Sequence, residues 1–74
     1  MIRKLETYER ITCILDTVET LEVDYQEEGV PLEQIIDHVT DEGFDRNEVI
    51  RDIENLNEYV GHLDSPQPKR YVRC

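Results

Sequence analysis

The chain has no alanine and no tryptophan, a single phenylalanine, two lysines and two cysteines in 74 residues. No apolar run approaches the ~20 residues of a membrane-spanning helix, and only Ile11 to Leu15 is locally apolar. The segment Met1 to Leu5 has neither an apolar signal core nor a small-residue cleavage site. A soluble cytoplasmic protein with no membrane partner is therefore expected. Cys13 and Cys74 are far apart and form no Cys-x-x-Cys pair, a poor staple pattern for a secreted mini-domain. Cys13 lies in a helical apolar pattern and reads as a small core residue, Cys74 as an exposed thiol.

Catalytic signatures are missing too. There is no Gly-x-x-x-x-Gly-Lys-Ser/Thr phosphate loop, no Gly-x-Ser-x-Gly and no His-Glu-x-x-His. The histidines are His38 and His62. His38 stands three residues before Asp41, a spacing that can touch a metal, but a metal site normally needs three or four ligands. Abundant carboxylates are not a tuned acid–base pair. The expectation is a protein without catalytic residues, cofactor, metal or small-molecule substrate.

Acid is what the chain has in excess: 18 Asp and Glu against 8 Lys and Arg, a net charge of −10. Residues 1–45 hold three basic and thirteen acidic side chains, whereas residues 46–74 hold five of each. From Asp16 to Asp45 there are eleven acids and no Lys or Arg. A surface of this kind repels phosphate. It reads as a solubilising face or as a docking face for a basic partner. The acid excess and the preference for Arg over Lys also fit a high-salt, halophilic cytoplasm, where self-repulsion is screened, while the lack of alanine counts against that source.

Periodicity predicts three helices and a hairpin in a single domain, residues 1–74. The first helix spans about 4–25, with Leu5, Tyr8, Ile11, Leu15, Val18, Leu21 and Tyr25 at steps of three and four, Ile14 widening the stripe. Gly29 can take the positive φ of a helix stop. Val30, before a proline, is extended, long enough to bridge to a strand but not to form one. The second helix, about 31–42, starts with Pro31 in its first turn and buries Leu32, Ile35, Ile36 and Val39. The third, about 46–58, has Asp45 as its N-cap, Glu48 three residues on, and Phe44 and Val49 placed as a hydrophobic staple. Its dry stripe is Val49, Ile50, Ile53 and Leu56. Gly43-Phe44-Asp45 makes the tight turn of a helix-turn-helix. Residues 60–74 read as a two-stranded hairpin, Val60–Leu63 and Arg70–Cys74, with a proline-rich tip from Asp64 to Lys69. This order is that of an α+β winged helix.

The stretch Asp24 to Arg73, about two thirds of the chain, resembles the C-terminal winged-helix domain of archaeal minichromosome maintenance replicative helicases. The similarity rests on Glu28-Gly29-Val30-Pro31-Leu32, on Gly43-Phe44-Asp45-Arg46, on the helix Val49 to Leu56, and on Gly61-His62-Leu63-Asp64-Ser65-Pro66 closing on Arg70-Tyr71-Val72-Arg73. Asp64 takes the place of that family's wing aromatic. The resemblance implies a regulatory module without the helicase core, linked to replication or transcription.

A helix-turn-helix contacts DNA with the outer face of its second helix. Here that face holds Asn47, Arg51 and Asn55, with Arg46 at its start, and the wing adds Lys69, Arg70 and Arg73. Arg3, Lys4 and Arg10 lie near the N-terminus, while Glu48, Glu54 and Glu58 share the outer region of the third helix and oppose a duplex. Two functions follow: weak binding of double-stranded DNA through the third helix and wing, or docking of a replication or regulatory protein without DNA contact.

Overall fold

The computed structural model describes residues 3–74, with side chains from Glu6 onward. Leu5 of the expected apolar stripe, and the Arg3 and Lys4 side chains, thus lie outside what is described. Helix α1 (Arg3–Tyr25) buries Arg10, Ile14 and Val18, a line of residues four apart. Ile11, Leu15, Leu21 and Tyr25 flank that line half-buried, and Tyr8 is 70% exposed. The dry stripe is therefore rotated from the expected one, which ran through Tyr8, Ile11 and Leu15 with Ile14 only widening it. The cause is Arg10, a charged residue on the core side. Its Nε donates to Asp52, and its Nη1 lies 3.5 Å from Glu48 Oε1.

After α1 the chain tightens into a 3-10 turn, Gln26–Glu28, and Gly29 closes it at φ 89° and ψ 157°. Gly29 is buried, and a Cβ there would stand 3.1 Å from Pro66 Cγ and 3.2 Å from Tyr71 N. Strand β1 (Val30–Pro31) follows. Pro31, at ψ 140°, is the last extended residue and caps α2 (Leu32–Asp41) rather than opening it. Helix α2 buries Ile35, Ile36 and Val39. Gly43, at φ 105°, turns the chain into α3 (Arg46–Asn55), where the Asp45 side chain accepts from the Glu48 N–H at 3.1 Å. Helix α3 buries Val49, Asp52 and Ile53, then widens into a π turn, Leu56–Val60. The Leu56 carbonyl there accepts from the Gly61 and His62 N–H groups at 2.9 and 3.0 Å.

Strands β2 (Leu63–Gln67) and β3 (Arg70–Arg73) complete the structure. The sheet is antiparallel and three-stranded, in the order β1-β3-β2, with Val30 opposite Tyr71 and Pro31 opposite Arg70. The expected two-stranded hairpin is thus corrected to three strands. Val30 does more than bridge, because it is fully buried against the core while its backbone pairs across the sheet, and the Leu32 N–H extends the ladder to the Lys69 carbonyl at 2.9 Å. The hairpin boundaries also move. Val60 belongs to the π turn, and Asp64 to Gln67 lie in β2 rather than in the tip. Pro66 is tolerated there because β2 is an edge strand, and a bulge between Asp64 and Gln67 absorbs one residue against β3. The tip is only Pro68-Lys69, with Lys69 at φ 60°.

Ile14, Val18, Val30, Ile35, Ile36, Val39, Val49, Ile53, Leu56 and Leu63 form one core. Arg10 and Asp52 are the charged residues inside it, 6% and 8% exposed. Every buried side-chain nitrogen and oxygen among the described residues has a partner. Among the described residues no helix is long and apolar enough to cross a membrane.

Candidate functional site

Helix α3 holds Asn47, Arg51 and Asn55 four residues apart, so they lie along one exposed line of the helix. Arg51 has no side-chain partner among the described residues. Arg46, at the first turn, is exposed, and its Nη2 lies 3.4 Å from Glu33 of α2. The hairpin residues are held more firmly. Arg70 is half-buried: its Nη1 donates to the Gly29 carbonyl at 3.0 Å, and its guanidinium lies 5.9 Å from the Tyr25 ring centroid. The Arg73 Nη1 meets Glu19 at 3.0 Å, and its backbone N–H donates to Glu22 at 3.0 Å. Lys69 projects from the hairpin tip, exposed, with its backbone tied to α2. Of the five cationic candidates, Arg46, Arg70 and Arg73 thus have partners within the chain, and Arg51 and Lys69 have none among the described residues.

The electrostatics around the hairpin are mixed. Burial, and then the carboxylates of Glu54 and Glu58, push the Tyr71 phenol above its ordinary value. Glu54 of α3 and Glu58 of the π turn are exposed, and they add negative charge to what a duplex laid across α3 and the hairpin would meet. Arg10 cannot join a basic surface. Its guanidinium is held charged first by the hydrogen bond with Asp52 and then by the charges of Asp52, Glu48 and Glu6, which outweigh its burial.

A second feature lies on the opposite side of the charge map. An open groove of about 480 Å³ runs between α1 and α2. Cys13, Thr17 and Leu21 are half-buried along its floor, while Glu9 and Asp16 of α1 and Glu42, the C-cap of α2, are exposed along its sides. Burial pushes the Cys13 thiol up, a hydrogen bond with Thr17 pulls it back, and the charges of Glu42 and Asp16 add to the rise. Asp16 of α1 and Glu42, which caps the end of α2, both line the groove. The sequence reading did not find this groove. A signal for it exists in Thr12, Asp16 and Thr20, which recur every four residues beside the apolar stripe and leave a line of α1 too short in side chain to fill the space. His38 also lines the groove, and among the described residues no group of three or more His, Cys, Asp or Glu side chains is placed to hold a metal. No family model matches the chain, and no curated protein or solved structure matches it either.

Proposed function

We propose that the chain is a winged-helix module with no chemistry of its own, which docks a basic protein partner through its acidic α1–α2 face. Support for the winged-helix arrangement comes from the element order, from the short turn between α2 and α3, and from the hairpin that pairs back onto a strand preceding α2. The resemblance to helicase C-terminal domains favours a replication or regulatory protein as the partner. The observation that carries the docking reading is the pairing map. Three of the five candidate cations have partners within the chain, that of Arg46 being an exposed carboxylate. Of the eleven acids from Asp16 to Asp45, only Glu19 and Glu33 have a cationic partner among the described residues.

Weak DNA contact is the second reading, favoured by the exposure of Asn47, Arg51, Asn55 and Lys69. Arg46 can join them, because an exposed pair such as Arg46–Glu33 is worth only about 0.2–1 kcal/mol. A titration with duplex DNA over a range of salt concentrations separates the two. Docking as the main role predicts DNA affinity no better than roughly 10⁻⁴–10⁻⁶ M. With two or three phosphates neutralised, log affinity should fall against log salt with a slope of about −2 to −3, and the pair Arg51→Ala and Lys69→Ala should abolish binding. Nanomolar binding, or a marked preference for one DNA sequence, would overturn the docking reading in favour of DNA recognition.

A further inference from the structure

The groove between α1 and α2 is an open recess lined by acidic residues and by apolar ones, so its chemistry is divided. Its floor offers Cys13 and Leu21, both packed against the core from below, with Tyr8 70% exposed at one end. Its sides carry Glu9, Asp16 and Glu42. On α1 the lining runs from Tyr8 to Leu21, fourteen residues, or about 20 Å along the axis at a rise of 1.5 Å per residue. That length matches three to four turns of a helix laid alongside. Deepening the docking reading on which it rests, we infer that this groove is the docking site, and that its occupant is an amphipathic, Lys/Arg-rich helical segment of a partner protein. Apolar residues on one face of that helix enter over Cys13 and Leu21, and the cations at its margins meet Glu9, Asp16 and Glu42.

Charge complementarity selects this occupant over the others. A nucleic acid brings more negative charge to a surface that already repels it. A second copy of the chain brings the same acidic helices, and its Arg70 and Arg73 have partners within their own chain. A small molecule would be poorly enclosed, because the groove is open to solvent along its side.

The test uses the full chain, isotopically labelled, and a synthetic helical peptide with Leu at positions one, four, five and eight of its register and Lys at the remaining positions. A peptide of the same composition with the leucines scrambled off one face is the control. Binding at low salt should shift backbone amide resonances of Thr12, Cys13, Asp16, Thr17 and Leu21 together with His38 and Glu42, and the scrambled peptide should bind at least about tenfold more weakly. The triple variant Glu9→Gln, Asp16→Gln, Glu42→Gln should lose at least about tenfold in affinity. Glu27→Gln, Glu28→Gln, Asp64→Asn removes the same charge from exposed residues that do not line the groove, and should lose about twofold or less. Equal losses in the two triple variants, equal affinity for the two peptides, or no binding would overturn the groove assignment. Shifts confined to another acidic surface would overturn the groove while leaving the docking reading in place. Sedimentation showing a dimer with the same groove residues shifted would replace the peptide with a second copy. Duplex DNA binding more tightly than the amphipathic peptide would overturn the docking reading itself.

Discussion

Replacing Asp52 with Asn isolates the one buried charge pair among the described residues. The Arg10 side chain is 7% exposed and that of Asp52 10%, so both ions have left water. Breaking a buried pair by removing one partner costs about 3–5 kcal/mol, mostly because the remaining charge is stranded. Glu48 stays 3.5 Å from Arg10 in the variant, but its side chain is 43% exposed and its pull is screened. The expected cost is therefore at the low end, about 3 kcal/mol. A domain of this size has roughly 4–11 kcal/mol in total, at about 0.05–0.15 kcal/mol per residue. At about 4–8 °C per kcal/mol, Asp52→Asn should lower the melting midpoint by roughly 12–24 °C. Urea unfolding followed by circular dichroism should show a lower midpoint with an unchanged slope. Glu48→Gln should cost about 1 kcal/mol or less. Arg10→Met with Asp52→Leu removes both charges and should fall within about 1 kcal/mol of the parent, or exceed it. A loss below about 0.5 kcal/mol for Asp52→Asn would show that Arg10 does not depend on it. A double variant as unstable as the single one would show that the stranded charge is not the cause.

Gly29→Ala should cost more than about 2 kcal/mol by thermal melting, because its φ of 89° and ψ of 157° suit only glycine and the new Cβ would press on Pro66, Arg70 and Tyr71; a loss under about 0.5 kcal/mol would refute this. Lys69→Gly should raise the melting midpoint by a few degrees, since a left-handed residue other than glycine costs roughly 1–2 kcal/mol and the gain is partly offset by the freer unfolded chain. The same change should weaken any DNA contact, so a variant that gains stability and keeps its DNA affinity removes Lys69 from that surface. Cys13 and Tyr71 both hold their protons more tightly folded than unfolded, so the unfolded chain deprotonates first. Their contribution is complete at neutral pH and is lost as the pH rises from about 9 through the raised folded values. Cys13→Ser and Tyr71→Phe should flatten that alkaline decline, and an equally steep decline in both variants would refute the assignment. Added potassium chloride should raise the melting midpoint by screening the acids from Asp16 to Asp45; an unchanged midpoint would show that their repulsion does not limit stability.

The α3 cap and its buried face were legible because their causes are local. Asp45 accepts the Glu48 N–H as the spacing demands, and Val49, Ile53 and Leu56 are buried where the periodicity puts them. The second half of the capping box was not legible: the Glu48 carboxylate turns to Arg10, 38 residues earlier, a pairing no local pattern displays. The same pair of elements hid the true face of α1. Arg10 and Asp52 read as solvent residues from their charge, yet each is buried because the other is there. Strand β1 was missed for a related reason, since a two-residue strand carries no period and exists only through its pairing with residues 70 and 71. For the candidate DNA surface, residue type and helix spacing placed Asn47, Arg51 and Asn55 correctly on an exposed line. Spacing alone did not reveal that Arg46, Arg70 and Arg73 have partners on α2, on Gly29 and on α1.

The edges of the small sheet limit how this molecule can recognise anything. On one side lies a two-residue strand that ends in a proline and runs straight into a helix. On the other, Pro66 lacks a backbone donor and the bulge breaks the regular spacing of the groups that remain. A peptide seeking to extend the sheet finds no run of evenly placed N–H and C=O groups on either side. Nor does a neighbouring copy, so both edges are poor templates for edge-to-edge aggregation. Main-chain pairing at either edge is thereby disfavoured, and side chains carry the greater share of what this sheet presents to its surroundings.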